Sequence, residues 1–157
     1  MDDIVDKLTQ LGVDVIIPLE TERVVVRIEE NRRSRLERWQ KIARSAAEQS
    51  RRNIIPSIPG ILDFKAALAQ AKSADLKLIP TLDGERKNLK EALTGCSFKD
   101  IFVLIGPEGD FTAQEVGQAV NSGFDPISLG DSVLRAETAA IAVAGYLRFY
   151  LMPDHSY

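Results

Sequence analysis

The sequence predicts an α/β domain with a mostly parallel sheet. Three observations support this. Short β-rich runs alternate with stretches of helical periodicity, Ile101 to Ile105 is an unbroken apolar run, and Pro or Gly closes most elements. With 157 residues, 45% hydrophobic and 27% charged, the chain suits one globular domain that buries roughly 70% of its unfolded surface.

Ile4, Val5, Leu8 and Leu11 recur at helical spacing with Gly12 beyond them, so residues 2–11 are expected to form a helix. Val13 to Ile17 follows as a buried strand stopped by Pro18, and Val24 to Ile28 as a second β-rich run. Leu36, Trp39, Ile42, Ala43 and Ala46 mark one stripe of a long helix from Arg32 to Ser50. Asp63 caps a helix through Ala71, Leu76 to Ile79 is a strand ending at Pro80, and Glu85 to Leu93 is a short helix. After the strand Ile101 to Ile105, Thr112 and Glu115 form a T-x-x-E capping box, and Gly123 closes the helix that it opens. Pro126 to Leu129 is a final strand. From Ala136 to Leu151 the chain is apolar almost all round, which marks a helix buried on more than one side.

Parallel crossover units begin with a strand, whereas this chain opens on a helix. A strand and a further domain are therefore expected upstream. The lone Cys96 rules out a disulfide framework, and one Cys with one His cannot build a Cys/His zinc site, so no metal is expected. A Ser-His-Asp hydrolase would have to use His155, three residues from the end. No apolar stretch approaches the roughly 20 residues that span a bilayer. No basic segment precedes an apolar one at the N-terminus, and a cytoplasmic protein without membrane contact is expected.

Net charge is −3, but it is unevenly placed. Residues 23–52 carry nine Arg and Lys41 against four Glu, giving +6 on this segment and −9 on the rest. Arg suits bidentate phosphate contact and base stacking. A solvated helix face is the other way to use such a segment.

Three segments lie at carboxyl ends of expected strands, where open α/β sheets hold ligands. They are Pro80 to Gly84, Gly106 to Phe111, and Ser128 to Ala139. The second is not a phosphate loop, because G-x-x-x-x-G-K-S/T is absent and Glu108 and Asp110 would repel phosphate. An acidic turn suits a neutral or cationic ligand.

The run Leu104-Ile105-Gly106-Pro107-Glu108-Gly109-Asp110-Phe111-Thr112, followed by Leu129-Gly130-x-x-Val133-Leu134-Arg135-Ala136-Glu137-Thr138-Ala139, resembles the SPOUT-class methyltransferases that modify uridine N3 in small-subunit ribosomal RNA, the ribosomal RNA small subunit methyltransferase E family. Leu11-Gly12-Val13, Ile17-Pro18, Glu22-Arg23, Arg38-Trp39 and Ala47-Glu48-Gln49-Ser50 sit in the same order, so the resemblance covers essentially the whole chain. Two positions depart from the family's pattern: Asp110 stands where a second Gly is common, and Ser132 where an Arg is common.

The resemblance implies a C-terminal deep trefoil knot, S-adenosylmethionine as cofactor, and a homodimer through the C-terminal helix. It also implies a ribosomal RNA or small-subunit substrate. Residues 1–157 would form the methyltransferase domain without its first strand and without the family's N-terminal PUA-like RNA-binding barrel. The implied cofactor site comprises Leu82, Ile105, Gly106, Pro107, Glu108, Gly109, Ser128, Leu129, Gly130, Leu134, Arg135, Ala136 and Thr138. Arg135 would stabilise charge on the uracil oxygens, with Glu108 and Glu137 as candidate bases. Arg23, Arg44, Gln49, Arg51 and Arg52 would contact RNA. A non-catalytic RNA-binding relative, or a knotted methyltransferase with another RNA target, are the alternatives.

Overall fold

The computed structural model describes residues 1–21, 31–82, 84–95 and 97–152. The expected strand Val24 to Ile28, together with Arg23, Cys96 and His155, lies outside the described residues. The chain divides into two compact units. Residues 1–18, 31–60 and 137–152 belong to the first, and 19–21 and the described part of 61–136 to the second.

In the first unit, α1 (Asp2–Gln10) packs on α2 (Arg32–Gln49). Trp39, Ala43, Ala46 and Ala47 are the buried positions of α2, so the observed stripe keeps three of the expected residues and adds Ala47, while Leu36 and Ile42 are only half-buried. The Trp39 indole donates to Asp2 at 3.2 Å, and the Arg38 guanidinium pairs with the same carboxylate. The Thr9 hydroxyl, fully buried, donates to the Val5 carbonyl at 2.7 Å.

α2 ends in a Schellman arrangement. The Arg51 amide donates to Glu48 at 3.2 Å and the Arg52 amide to Ala47 at 2.9 Å, with Arg51 at φ 55 in the left-handed position that helices usually give to glycine. The expected strand Val13 to Ile17 reduces to a single parallel bridge, Val15 to Ser57. Pro56 and Pro59 flank Ser57, and without their N–H groups the ladder cannot extend.

In the second unit every strand pairing among the described residues is parallel. β1 (Leu19–Glu20) pairs with β2 (Leu62–Asp63). A four-stranded sheet holds β3 (Leu76–Pro80), β4 (Lys87–Asn88), β5 (Ile101–Val103) and β6 (Asp125–Ser128) in the order β4-β6-β3-β5. β5 is two residues shorter than the unbroken apolar run that predicted it.

Asp63 caps α3 (Phe64–Gln70) by accepting the Ala66 amide at 2.7 Å, and a 3-10 turn, Ala71–Ser73, continues it. The helix expected over Glu85 to Leu93 starts later, as α4 (Leu89–Leu93). Residues 87–88 extend instead to pair with β6, and Asn88 with Glu91 forms a reciprocal capping box. The T-x-x-E box opens α5 (Ala113–Asn121) as expected, with the Thr112 amide donating to Glu115 at 2.8 Å and the Glu115 amide to the Thr112 hydroxyl at 3.2 Å.

Phe64, Leu68, Ile79, Leu104, Phe111 and Phe124 lie in one buried cluster, with the Phe64 and Phe111 rings 5.5 Å apart. The final helix, α6, spans Ala136–Leu151, the bounds expected from its apolar run. Among the described residues no helix is long and apolar enough to cross a membrane.

Candidate cofactor site

The order β6-β3-β5 and the common parallel direction bring the carboxyl ends of three strands side by side. Each expected ligand segment leaves one of them. The sheet alone therefore places Leu82, the turn Gly106 to Asp110, and Ser128 to Gly130 at one end of the second unit. The Thr81 amide donates to the Ile127 carbonyl at 3.1 Å, tying the first segment to β6, and the Leu104 amide donates to the Leu78 carbonyl at 2.9 Å, carrying the ladder past β5.

The turn after β5 is closed by the Asp110 amide donating to the Pro107 carbonyl at 3.0 Å. Gly109, at φ 97, occupies the position where such a turn calls for a left-handed residue. Asp110 is itself left-handed, at φ 63. Its carboxylate accepts the Phe111 amide at 2.8 Å and, from the segment after β3, the Leu82 amide at 3.0 Å.

A Cβ at position 106 would meet Asp110 Oδ1 at 2.9 Å and Phe111 at 3.3 Å, so the turn itself fills the place that a larger residue's side chain would need. Gly130 is different: at φ 109 nothing lies within 4 Å of where its Cβ would be, so its backbone borders open space. Its amide donates to the Ser128 hydroxyl at 3.2 Å, folding the segment after β6 back on itself. These features fit a flat, uncharged ring beside Gly130 and a cationic centre near the acidic turn.

Of the three residues expected to act on substrate, Glu108 is exposed at the tip of the turn and Arg135 is exposed just ahead of α6, both in the second unit. Glu137 is half-buried in the first turn of α6, where an acid also complements the helix dipole. Leu82 is exposed, Ile105, Pro107, Leu129, Leu134 and Ala136 are half-buried, and Thr138 is exposed on α6.

The expected RNA contacts divide. Arg44, Gln49 and Arg51 are exposed along and just beyond α2. Arg52 is occupied elsewhere: its guanidinium donates to the Thr9 carbonyl at 2.7 Å and the Val13 carbonyl at 3.1 Å, and its side chain is only 15% exposed beside Asp14. Its charge is used to close the end of α1. Among the described residues no group of three His, Cys, Asp or Glu side chains is placed to hold a metal ion.

Two features escaped the sequence reading, the Asp110 bridge to Leu82 and the capping box at Asn88. The second had a local signal, N-x-x-E, whereas the first joins residues 28 positions apart and had none.

A family model of the RNA methyltransferase domain matches residues 1–148. The chain belongs to that family. Relatives include the ribosomal RNA small subunit methyltransferases E of Mesomycoplasma hyopneumoniae, 35% identical over 87% of this chain and 59% of that protein, and of Synechocystis, 33% identical over 88% and 45%. The chain thus spans about half to three-fifths of the length of these relatives. The Neisseria gonorrhoeae ribosomal RNA small subunit methyltransferase E, solved bound to S-adenosylmethionine, superposes with a TM-score of 0.86 at 37% identity, over 96% of this chain and 60% of that one. A Legionella pneumophila structure holding the same cofactor gives 0.88 at 34% identity, over 96% and 61%.

Proposed function

We propose that this member of the RNA methyltransferase family is the catalytic part of an S-adenosylmethionine-dependent enzyme that methylates N3 of a uridine in small-subunit ribosomal RNA. The observation that carries this is the convergence of three ligand segments at the carboxyl ends of β6, β3 and β5, in a chain resembling two proteins solved with that cofactor.

When bound, the cofactor supplies an electrophilic methyl group. Leu129, Gly130 and Leu134 would hold its adenine through main-chain groups, Gly130 leaving room beside the backbone, while Leu82 walls the site. The acidic turn at Glu108 favours a sulfonium cation nearby. For N3 of the uracil to take the methyl group it would first give up its proton, spreading negative charge to the flanking carbonyl oxygens until the S–CH3 bond breaks and leaves a neutral thioether. The Arg135 guanidinium is suited to stabilise that charge. Glu108 or Glu137 accepts the proton.

RNA would be held through phosphates by Arg44, Arg51 and Arg23, with Gln49 beside them. Insertion of β6 between the earlier strands β4 and β3 is compatible with the SPOUT-class trefoil knot that the resemblance implies. A homodimer through α6 and a cytoplasmic location complete the proposal.

Calorimetric titration with S-adenosylmethionine should give one site per chain. Small ribosomal subunits lacking the modification, incubated with the chain and methyl-labelled cofactor, should yield N3-methyluridine on digestion. Label on another base would overturn the target, and absence of cofactor binding would overturn the function.

A further inference from the structure

We propose that Asp110 is a positioning residue for cofactor binding: its carboxylate latches the segment after β3 to the turn after β5 and fixes the mouth of the site between them. This rests on the function proposed above.

Four observations lead to it. Asp110 Oδ2 accepts the Leu82 amide at 3.0 Å, and Oδ1 accepts the Phe111 amide at 2.8 Å, so one carboxylate holds both segments. Asp110 adopts φ 63, a left-handed conformation that glycine takes most easily and that an Asp side chain bonded to nearby backbone can hold. Oδ1 lies 2.9 Å from where a Cβ on Gly106 would stand, so the carboxylate is seated directly against the glycine of the turn. Leu82, the residue held, is an exposed apolar side chain at the end of β3, where it can form one wall for a ligand only if its backbone is fixed.

An amide hydrogen bond to a charged acceptor is stronger than one between neutral groups, which makes the carboxylate a better latch than a main-chain carbonyl. Freed of it, the segment after β3 must be ordered each time a ligand binds, and affinity falls by the cost of that ordering.

The test uses three proteins, wild type, Asp110→Gly and Asp110→Asn. Glycine keeps the left-handed backbone and removes the latch. Asparagine keeps an acceptor oxygen and removes the charge. S-adenosylmethionine affinity by calorimetry should fall about tenfold in Asp110→Gly, with the asparagine variant recovering at least half of that loss on a logarithmic scale. Thermal midpoints should stay close together, because glycine also relieves the backbone cost. Amide exchange at Leu82 should speed up at least tenfold in Asp110→Gly, while Leu104, bonded to Leu78, is unchanged.

Equal affinity in wild type and Asp110→Gly would overturn the latch while leaving the proposed function standing. Equal losses in the glycine and asparagine variants would mean that the carboxylate acts only by charge, which also overturns it. Unchanged protection at Leu82 would do the same. A wild type that binds no cofactor would remove the function first and this inference with it.

Discussion

Arg52 Nη1 donates to the carbonyl of Thr9 at 2.7 Å, across 43 residues of sequence, and ties the end of α2 to the end of α1. The last carbonyls of a helix have no partner within it, and here a guanidinium supplies one while also meeting Val13. Arg52→Ala removes both charged bonds in a largely enclosed place, leaving the Thr9 carbonyl with the Gly12 amide at 3.2 Å. It should cost about 2 kcal/mol, since hydrogen bonds from charged donors contribute about 1.5–3 kcal/mol. Urea denaturation and a midpoint lowered by roughly 4–8 °C would report it. Arg44→Ala, exposed on the same helix, should change stability by less than about 0.5 kcal/mol.

Arg51 holds a backbone conformation better suited to glycine. Arg51→Gly should therefore raise stability by about 1 kcal/mol, read as a higher urea midpoint with an unchanged slope. The same substitution removes an exposed cation at the end of the basic helix. RNA affinity should fall, and the slope of log affinity against log salt should become shallower by about 0.7–0.9. Gain in stability with loss in binding would separate the two roles of one side chain.

Asp75 stands ahead of β3, and its carboxylate accepts the amides of Asp100 at 3.0 Å and Lys99 at 2.8 Å. These donors hold its pKa below the ordinary 3.8. A carboxyl group depressed in the folded state stabilises the protein fully above its unfolded value, and that contribution is lost as pH falls through the lower folded value. Wild type should thus exceed Asp75→Asn in stability near neutral pH, and the difference should vanish on acidification below 3.8. Denaturation of both proteins across an acid series measures this.

α6 presents Thr138, Ala142, Tyr146 and Phe149 at helical spacing along an exposed stripe, with Phe149 71% exposed. The proposed homodimer would bury this stripe against a symmetric copy. Sedimentation at micromolar concentration should show a species near twice 17.4 kDa, and Phe149→Glu should return it to the monomer.

Local chemistry made much of the fold legible. Thr112 with Glu115, Asp63 ahead of α3, and the apolar run of α6 all act within a few residues, and each marked its element where it lies. Val13 to Ile17 failed as a strand because its bridge partner among the described residues, Ser57, sits between two prolines that lie far off in sequence. Residues 87–88 became a strand because β6 was available to pair with them, a fact absent from their own composition. The site followed the same division. Its three segments could be found because they follow strands, but the carboxylate joining two of them, and the capture of Arg52 by Thr9, depend on which segments become neighbours.

The place of β6 also orders events in time. Among the described residues β4 has no strand partner except β6, and β3 has β6 on one side and β5 on the other, yet β6 is the last of the four strands to leave a ribosome. Until it arrives, β3 has only β5 to pair with among the described strands, and residues 87–88 lack the partner they have in the folded sheet. Completion of the sheet, and with it the seating of the segment after β6 beside the other two, thus requires the closing of a long loop. That makes it a slow, late step, completed only after the chain's central third has already been made.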